Sequence, residues 1–183
     1  MTRIIAGAHR GRRLTVPAGQ GTRPTSDRVR EALFSTLDTL VDLDGARFLD
    51  LFAGSGAVGL EAHSRGAADV LLVESDPKAG RAARDNIGTI GAIGRVRLVA
   101  DRVERVLAVP PDEPYDAVFV DPPYAYEEIG SVLEALVAGW LEPDAVVVVE
   151  RSTRSAQPAA VQGLTVTSSR RYGETTLWYL RAS

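Results

Sequence analysis

Cysteine is absent from the 183 residues, which excludes a disulfide scaffold and any thiolate-held zinc or iron–sulfur centre. Histidine is scarce: His9 and His63 stand far apart in the chain, so no histidine-built metal site is expected. Long apolar runs are missing. Ala145–Val149 is typical at about five residues, against roughly 18 for a membrane crossing. The opening stretch, MTRIIAGAHRGRRL, has no apolar segment of the secretory type. A cytoplasmic monomer without metal or membrane contact is the expectation. Lysine occurs once, at Lys78, so 20 of the 21 basic residues are arginine and arginine richness alone carries no argument.

What is present fits one domain of ordinary size, large enough to bury a core unaided. The net charge of -3 is unevenly distributed. Residues 1–30 hold Arg3, Arg10, Arg12, Arg13, Arg23, Arg28 and Arg30 against Asp27 alone, a local charge of +6; the remainder carries -9. A basic arm on an acidic body suits a polyanionic partner.

Beyond the arm, residues 26–41 carry Val29, Leu33, Phe34, Leu37, Leu40 and Val41 at helical spacing, with Thr25 or Ser26 as the cap. Strands and helices then alternate. Strands are expected at Arg47–Phe52, Asp69–Glu74, Val96–Ala100, Tyr115–Val120 and Ala145–Glu150, and helices at Val58–Arg65, 77–90 and 126–139. Apolar strands separated by helices specify a parallel sheet covered on both faces. Leu164–Ser168 and Thr175–Leu180 have no room for a helix between them and pair as an antiparallel hairpin. Arg3–Ile5 and Arg13–Val16 form a smaller one. The expected division is a basic arm over residues 1–25 and an α/β Rossmann-like domain over 26–183. His63, Trp140 and Trp178 are expected to be structural.

Gly54, Gly56 and Gly59 spell G-x-G-x-x-G between the first sheet strand and its helix. Such glycines allow a tight turn and close approach of backbone to a ligand. Glu74 ends the next strand, where a carboxylate can take both hydroxyls of a ribose. Asp50, four residues before Gly54, would repel a pyrophosphate but suits a ligand with a cationic amino group, such as S-adenosylmethionine. Asp101, after the third strand, can accept from an adenine amine or act as a turn residue or helix cap.

Asp121-Pro122-Pro123-Tyr124 closes the fourth strand. Carboxyl ends of strands border the ligand crevice of such sheets, so this tetrapeptide shares an edge with the glycine loop. Asp121 offers an acceptor. The two prolines fix φ and lack N–H groups, which frees the Pro122 carbonyl for a donor. Tyr124 offers a flat ring. Together they match a planar base with an exocyclic amine, splayed out and stacked. Two acceptors on the amine hydrogens favour a pyramidal, nucleophilic nitrogen, so orientation and electrostatics supply most of the gain.

These motifs resemble those of class I S-adenosylmethionine-dependent methyltransferases, with Asp121, Pro122 and Tyr124 as the catalytic set. More narrowly, the chain resembles the RsmD family of bacterial small-subunit ribosomal RNA guanine-N2 methyltransferases. Arg3-Ile4-Ile5-Ala6-Gly7, Gly11-Arg12-Arg13-Leu14, the block from Thr22 to Phe34, and Arg170-Arg171-Tyr172-Gly173-Glu174-Thr175 carry that likeness. The resemblance implies a seven-stranded, mostly parallel sheet with its last strand reversed. It implies methylation of a guanine in the helix-31 loop of 16S rRNA, within the assembled small subunit. It places Arg23-Pro24-Thr25 beside the methionine end of the cofactor. The cofactor-contacting set is then Arg23, Thr25, Asp50, Phe52, Gly54, Gly56, Glu74, Ser75, Asp101 and Arg102. The RNA-contacting set is Arg3, His9, Arg10, Arg12, Arg13, Arg28 and Arg30. The arm tip departs from the family pattern, with His9 and Arg10 where a lysine and an aromatic are frequent.

Three other readings compete. A DNA or other RNA amino-methyltransferase would share the tetrapeptide, but a DNA enzyme usually needs extra mass to extrude its base, and only about 45 residues precede the sheet. A nicotinamide dehydrogenase has no use for Asp50 or for Asp121–Tyr124. A non-catalytic RNA-binding module has none for a complete cofactor site.

Overall fold

The computed structural model describes residues 2–17 and 25–183. Two short strands, β1 (Thr2–Arg3) and β2 (Arg13–Leu14), pair antiparallel. Helix α1 (Asp27–Leu40) follows; Ser26 rather than Thr25 caps it, accepting the Val29 N–H. Then come β3 (Arg47–Leu51), α2 (Ala57–Ser64), β4 (Asp69–Val73), α3 (Pro77–Thr89), β5 (Val96–Val99), α4 (Val103–Leu107), β6 (Tyr115–Val120), α5 (Ile129–Val137), β7 (Leu141–Ser152), β8 (Leu164–Tyr172) and β9 (Thr175–Ala182).

The large sheet has the order β5-β4-β3-β6-β7-β9-β8. Only β9 runs against its neighbours, pairing antiparallel with both β7 and β8. The expected seven-stranded sheet with a reversed last strand is therefore the observed one. One face buries Phe48, Phe119, Val146 and Val148 against Leu33, Phe34 and Leu37 of α1 and apolar positions of α2 and α3. The other buries Leu49, Leu71 and Val118 against α4 and α5, with Trp140 sealed there by its indole N–H on the Leu107 carbonyl. Among the described residues, no helix is long and apolar enough to cross a membrane.

Differences from the expected elements are local. Helix α5 starts at Ile129 rather than at 126, because the Tyr126 N–H turns back to the Pro123 carbonyl and its hydroxyl is held by Glu104. Strand β7 outruns Ala145–Glu150 at both ends; its polar tip Arg151–Ser152 is held by β9. Helix α4 was not expected as an element. Trp178 is half-buried, and Tyr179 beside it takes the core position.

The basic hairpin lies on α2. Gly7 explains how closely: its φ is +85°, and a Cβ there would fall 1.9 Å from the Ser64 carbonyl oxygen, so a side chain is excluded. The Ala8 N–H donates to that carbonyl and the His9 N–H to the Ser64 hydroxyl. Glu61, fully buried, accepts the Ile5 and Ala6 N–H groups at 2.8 and 3.0 Å.

Candidate active site

The glycine loop joins β3 to α2. Gly54 and Gly56 both have positive φ, and a Cβ on Gly54 would meet nothing within 4 Å, so its face is open to a ligand. Gly59 serves packing instead: a Cβ there would stand 2.3 Å from Leu72 Cδ2, so the helix could not approach β4. Asp50 is almost wholly buried, and its Oδ2 accepts the Gly59 N–H at 2.9 Å. Part of the donor capacity of the α2 N-terminus is thus taken by a carboxyl of the chain itself, a poor cradle for pyrophosphate. Burial raises the Asp50 carboxyl well above the ordinary carboxylate range; the Gly59 N–H pulls the other way.

Glu74 follows β4. Its Oε1 accepts the Gly54 N–H at 2.7 Å and its Oε2 the Asp76 N–H at 2.8 Å. The carboxylate is held in plane at the mouth of the loop, and each oxygen keeps a lone pair for a hydroxyl. Asp101 is half-buried and accepts the Arg102 N–H, while Arg102, exposed, is the N-cap of α4. Ser75 is exposed. Phe52, with φ +60°, turns its ring edge-on to Tyr126 at 5.0 Å. Arg23 lies outside the described residues.

Asp121-Pro122-Pro123-Tyr124 leaves β6 beside this loop, with β6 next to β3 in the sheet. Pro122 is buried, Asp121 half-buried, and Tyr124 is 75% exposed, its ring free to stack on a base. Asp121 is thus anchored at the sheet edge, while Tyr124 projects from the surface.

Sequence reasoning missed one residue here. Val120 pairs with Val149, so Asp121 and Glu150 follow side by side on β6 and β7. Phe119 is in register with both Asp50 and Val148. By the two-residue alternation of strands, Asp50, Asp121 and Glu150 share the sheet face that α1 covers. The Asp121 and Glu150 carboxyls, on neighbouring strands and the same face, act directly on one another. Thr25, just before α1, donates its hydroxyl to Glu150 Oε1 over a long 3.5 Å. Burial first, and the Glu150 carboxyl second, push Asp121 well above the carboxylate range; burial raises Glu150 as well. A strand-ending acid whose neighbour ends in a candidate catalytic acid was the available signal.

Of the proposed RNA-contacting residues, Arg3, Arg10, Arg12, Arg13 and Arg28 are exposed, although Arg12 also donates to the Thr89 carbonyl. His9 is half-buried and stacks on His63 with ring centroids 5.3 Å apart. Arg30 is not an RNA ligand. It has no exposed surface, donates to Asp27 Oδ1 at 2.8 Å and to the Arg3 carbonyl, and lies 3.9 Å from Glu61 Oε1. Its place on the Leu33–Leu37 stripe of α1 signals this. Asn86 of α3 was also missed. Its amide accepts from the Thr15 N–H and donates to the carbonyls of Thr15 and Ser55, tying the end of the hairpin to the glycine loop.

The family model described as Conserved hypothetical protein 95 matches residues 2–181. Ribosomal RNA small subunit methyltransferase D of Escherichia coli (strain K12) is 44% identical over 160 residues, 85% of this chain and 77% of that protein. The chain belongs to the RsmD family. An RsmD relative from Haemophilus influenzae, Ribosomal RNA small subunit methyltransferase D, is 37% identical over 151 residues, covering 81% of this chain and 77% of its own length. The solved Escherichia coli structure of yhhF superposes with a TM-score of 0.87 at 36% identity, over 99% of this chain and 97% of that one. The RsmD likeness thus extends through the N-terminal hairpin and the terminal strands, not only the sheet that carries the glycine loop.

Proposed function

We propose that this chain transfers the methyl group of S-adenosylmethionine to the exocyclic N2 amine of one guanine in the helix-31 loop of 16S rRNA, with the small ribosomal subunit as substrate. The observation that carries this reading is the convergence of the open glycine loop, the locked Glu74 and Asp121–Tyr124 on one sheet edge, in a chain that belongs to the RsmD family. The open face at Gly54 and the acidic donor set fit the cofactor. Glu74 would hold the ribose hydroxyls, Asp101 the adenine amine, the loop backbone the chain between them, and Asp50 would face the cationic end. When bound, the cofactor supplies an electrophilic sulfonium methyl.

The remaining work falls to the protein. Tyr124 stacks on the extruded guanine. The Pro122 carbonyl and the Asp121 carboxyl accept the two amine hydrogens and aim the nitrogen lone pair. Orientation of this kind removes most of the entropic cost of the encounter. Each methyl gained by the amine releases one proton, and Asp121 is the nearest acceptor. The exposed arginines Arg3, Arg10, Arg12, Arg13 and Arg28 meet rRNA phosphates.

The test is transfer of labelled methyl to 16S rRNA, free and in small subunits, followed by mapping of the modified base. Label on a single guanine N2 is expected. Label on adenine N6, or on DNA in preference to rRNA, would favour the related amino-methyltransferase reading instead.

A further inference from the structure

Glu150 has no part in the motifs that identify the family, yet it stands against Asp121. Four observations define its place. It continues the β6–β7 register beside Asp121. It faces the side of the sheet that α1 covers, together with Asp50. Its carboxyl and that of Asp121 are neighbours on one face and act directly on one another. Thr25 donates to its Oε1.

Two carboxylates cannot hydrogen-bond unless a proton lies between them. The groups facing Asp121 supply no alternative. Asp50 from β3 and Glu150 from β7 are acids, Glu74 acts on Asp50 from β4, and Thr25 from the α1 side is neutral. Arg30 of α1 is bound to Asp27 and the Arg3 carbonyl. Arg151, next to Glu150, donates to the Tyr126 carbonyl.

We propose that Glu150 is a positioning residue for methyl transfer: it shares one proton with Asp121, and that hydrogen bond fixes one Asp121 oxygen so that the other faces the substrate amine. Thr25 completes the arrangement from the α1 side, its hydroxyl facing both carboxyls. The pair then carries one negative charge. In turnover, one N–H bond of the methylated amine breaks, its electron pair stays on nitrogen, and one O–H bond forms on Asp121. Solvent takes one proton from the neutral pair after the product leaves, restoring the starting state. This role rests on the methyltransferase reading above, but the carboxyl pair can be tested without any substrate.

The experiment compares Glu150→Ala and Glu150→Gln in the full-length protein. Glutamine keeps an N–H donor toward Asp121 at every pH; alanine has none. Glu150→Ala should lower kcat by about 100-fold, the lower range for a positioned proton-transfer group, with the KM for rRNA and the Kd for the cofactor unchanged. Glu150→Gln should keep kcat within a few-fold of wild type. Carboxyl NMR of the free protein supplies a second readout. The wild type should show an Asp121 step above the ordinary carboxylate range, and Glu150→Gln should move that step down toward the range without abolishing the part due to burial. Full activity in Glu150→Ala, an equal loss in both variants, or a titration unaltered by Glu150→Gln would each overturn the proposal. If the wild type methylates no rRNA, the functional reading fails while the titration still decides the carboxyl pair.

Discussion

Glu74 and Gly54 lock one another: the carboxylate that ends β4 accepts the N–H of the first loop glycine at 2.7 Å. The same side chain thereby shapes the loop and waits for the ribose. Glu74→Ala should weaken cofactor binding by about 1.5–3 kcal/mol, the size of a charge-assisted hydrogen bond. Calorimetry measures this directly, and an unchanged affinity would mean that the ribose is held elsewhere.

Arg30 belongs to the core, so its loss should register as stability. Arg30→Met removes the 3.9 Å contact with Glu61, which keeps Arg65 at 2.8 Å, and leaves Asp27 and the Arg3 carbonyl without their donor. Loss of hydrogen bonds to a charged group costs about 1.5–3 kcal/mol. Denaturant unfolding should show that loss, while rRNA affinity of the folded variant stays at the wild-type value. Weaker binding at unchanged stability would return Arg30 to the RNA surface.

Arg10 and Arg13 are exposed on the hairpin, and their guanidinium groups take no part in the hydrogen bonds and ion pairs found among the described residues. Replacing both with alanine should weaken rRNA binding at low salt. The slope of log affinity against log salt should fall by about 1.5, two phosphate contacts at roughly 0.7–0.9 each. A slope equal to that of the wild type would remove this face from the interface.

Asp50 and Asp121 are both raised well above the ordinary carboxylate range by burial, Asp121 further by Glu150. An acid whose folded pKa exceeds its unfolded value keeps a proton that the unfolded chain has lost. It contributes stability that is complete below the unfolded pKa and is lost as pH rises through the folded one. The free protein should therefore lose stability as pH climbs from the ordinary carboxylate range upward. Asp121→Asn, which has no proton to lose, should show a shallower decline in thermal unfolding scans, together with loss of methyl transfer. Parallel pH profiles for the two proteins would contradict this.

The sheet order and the site edge were legible because their signals are local. Val70–Val73 is a continuous apolar strand, Gly54–Gly56 a turn, and Glu74 and Asp121 are strand-end acids. Glu61, Asn86 and Glu150 were not legible because each gets its meaning from a partner remote in sequence. Glu61 looks like a surface acid on a short helix until the hairpin amides land on it. Arg30 was misassigned because it was grouped by charge with its exposed neighbours, although helical spacing puts it beside Leu33 and Phe34. The polar C-terminal end of β7 looks like turn until β9 pairs with it.

The close seating of Gly7 on Ser64, with Glu61 gripping the next two amides toward the N-terminus, bears on how the arginines are presented. A loose tail would lose conformational freedom at the moment of docking and weaken the encounter accordingly. Here that ordering is completed during folding, and the Ile5 and Ala6 amides should exchange hydrogen about as slowly as the core of α2. The guanidinium groups are thus carried on a rigid strut whose spacing is set before any phosphate arrives.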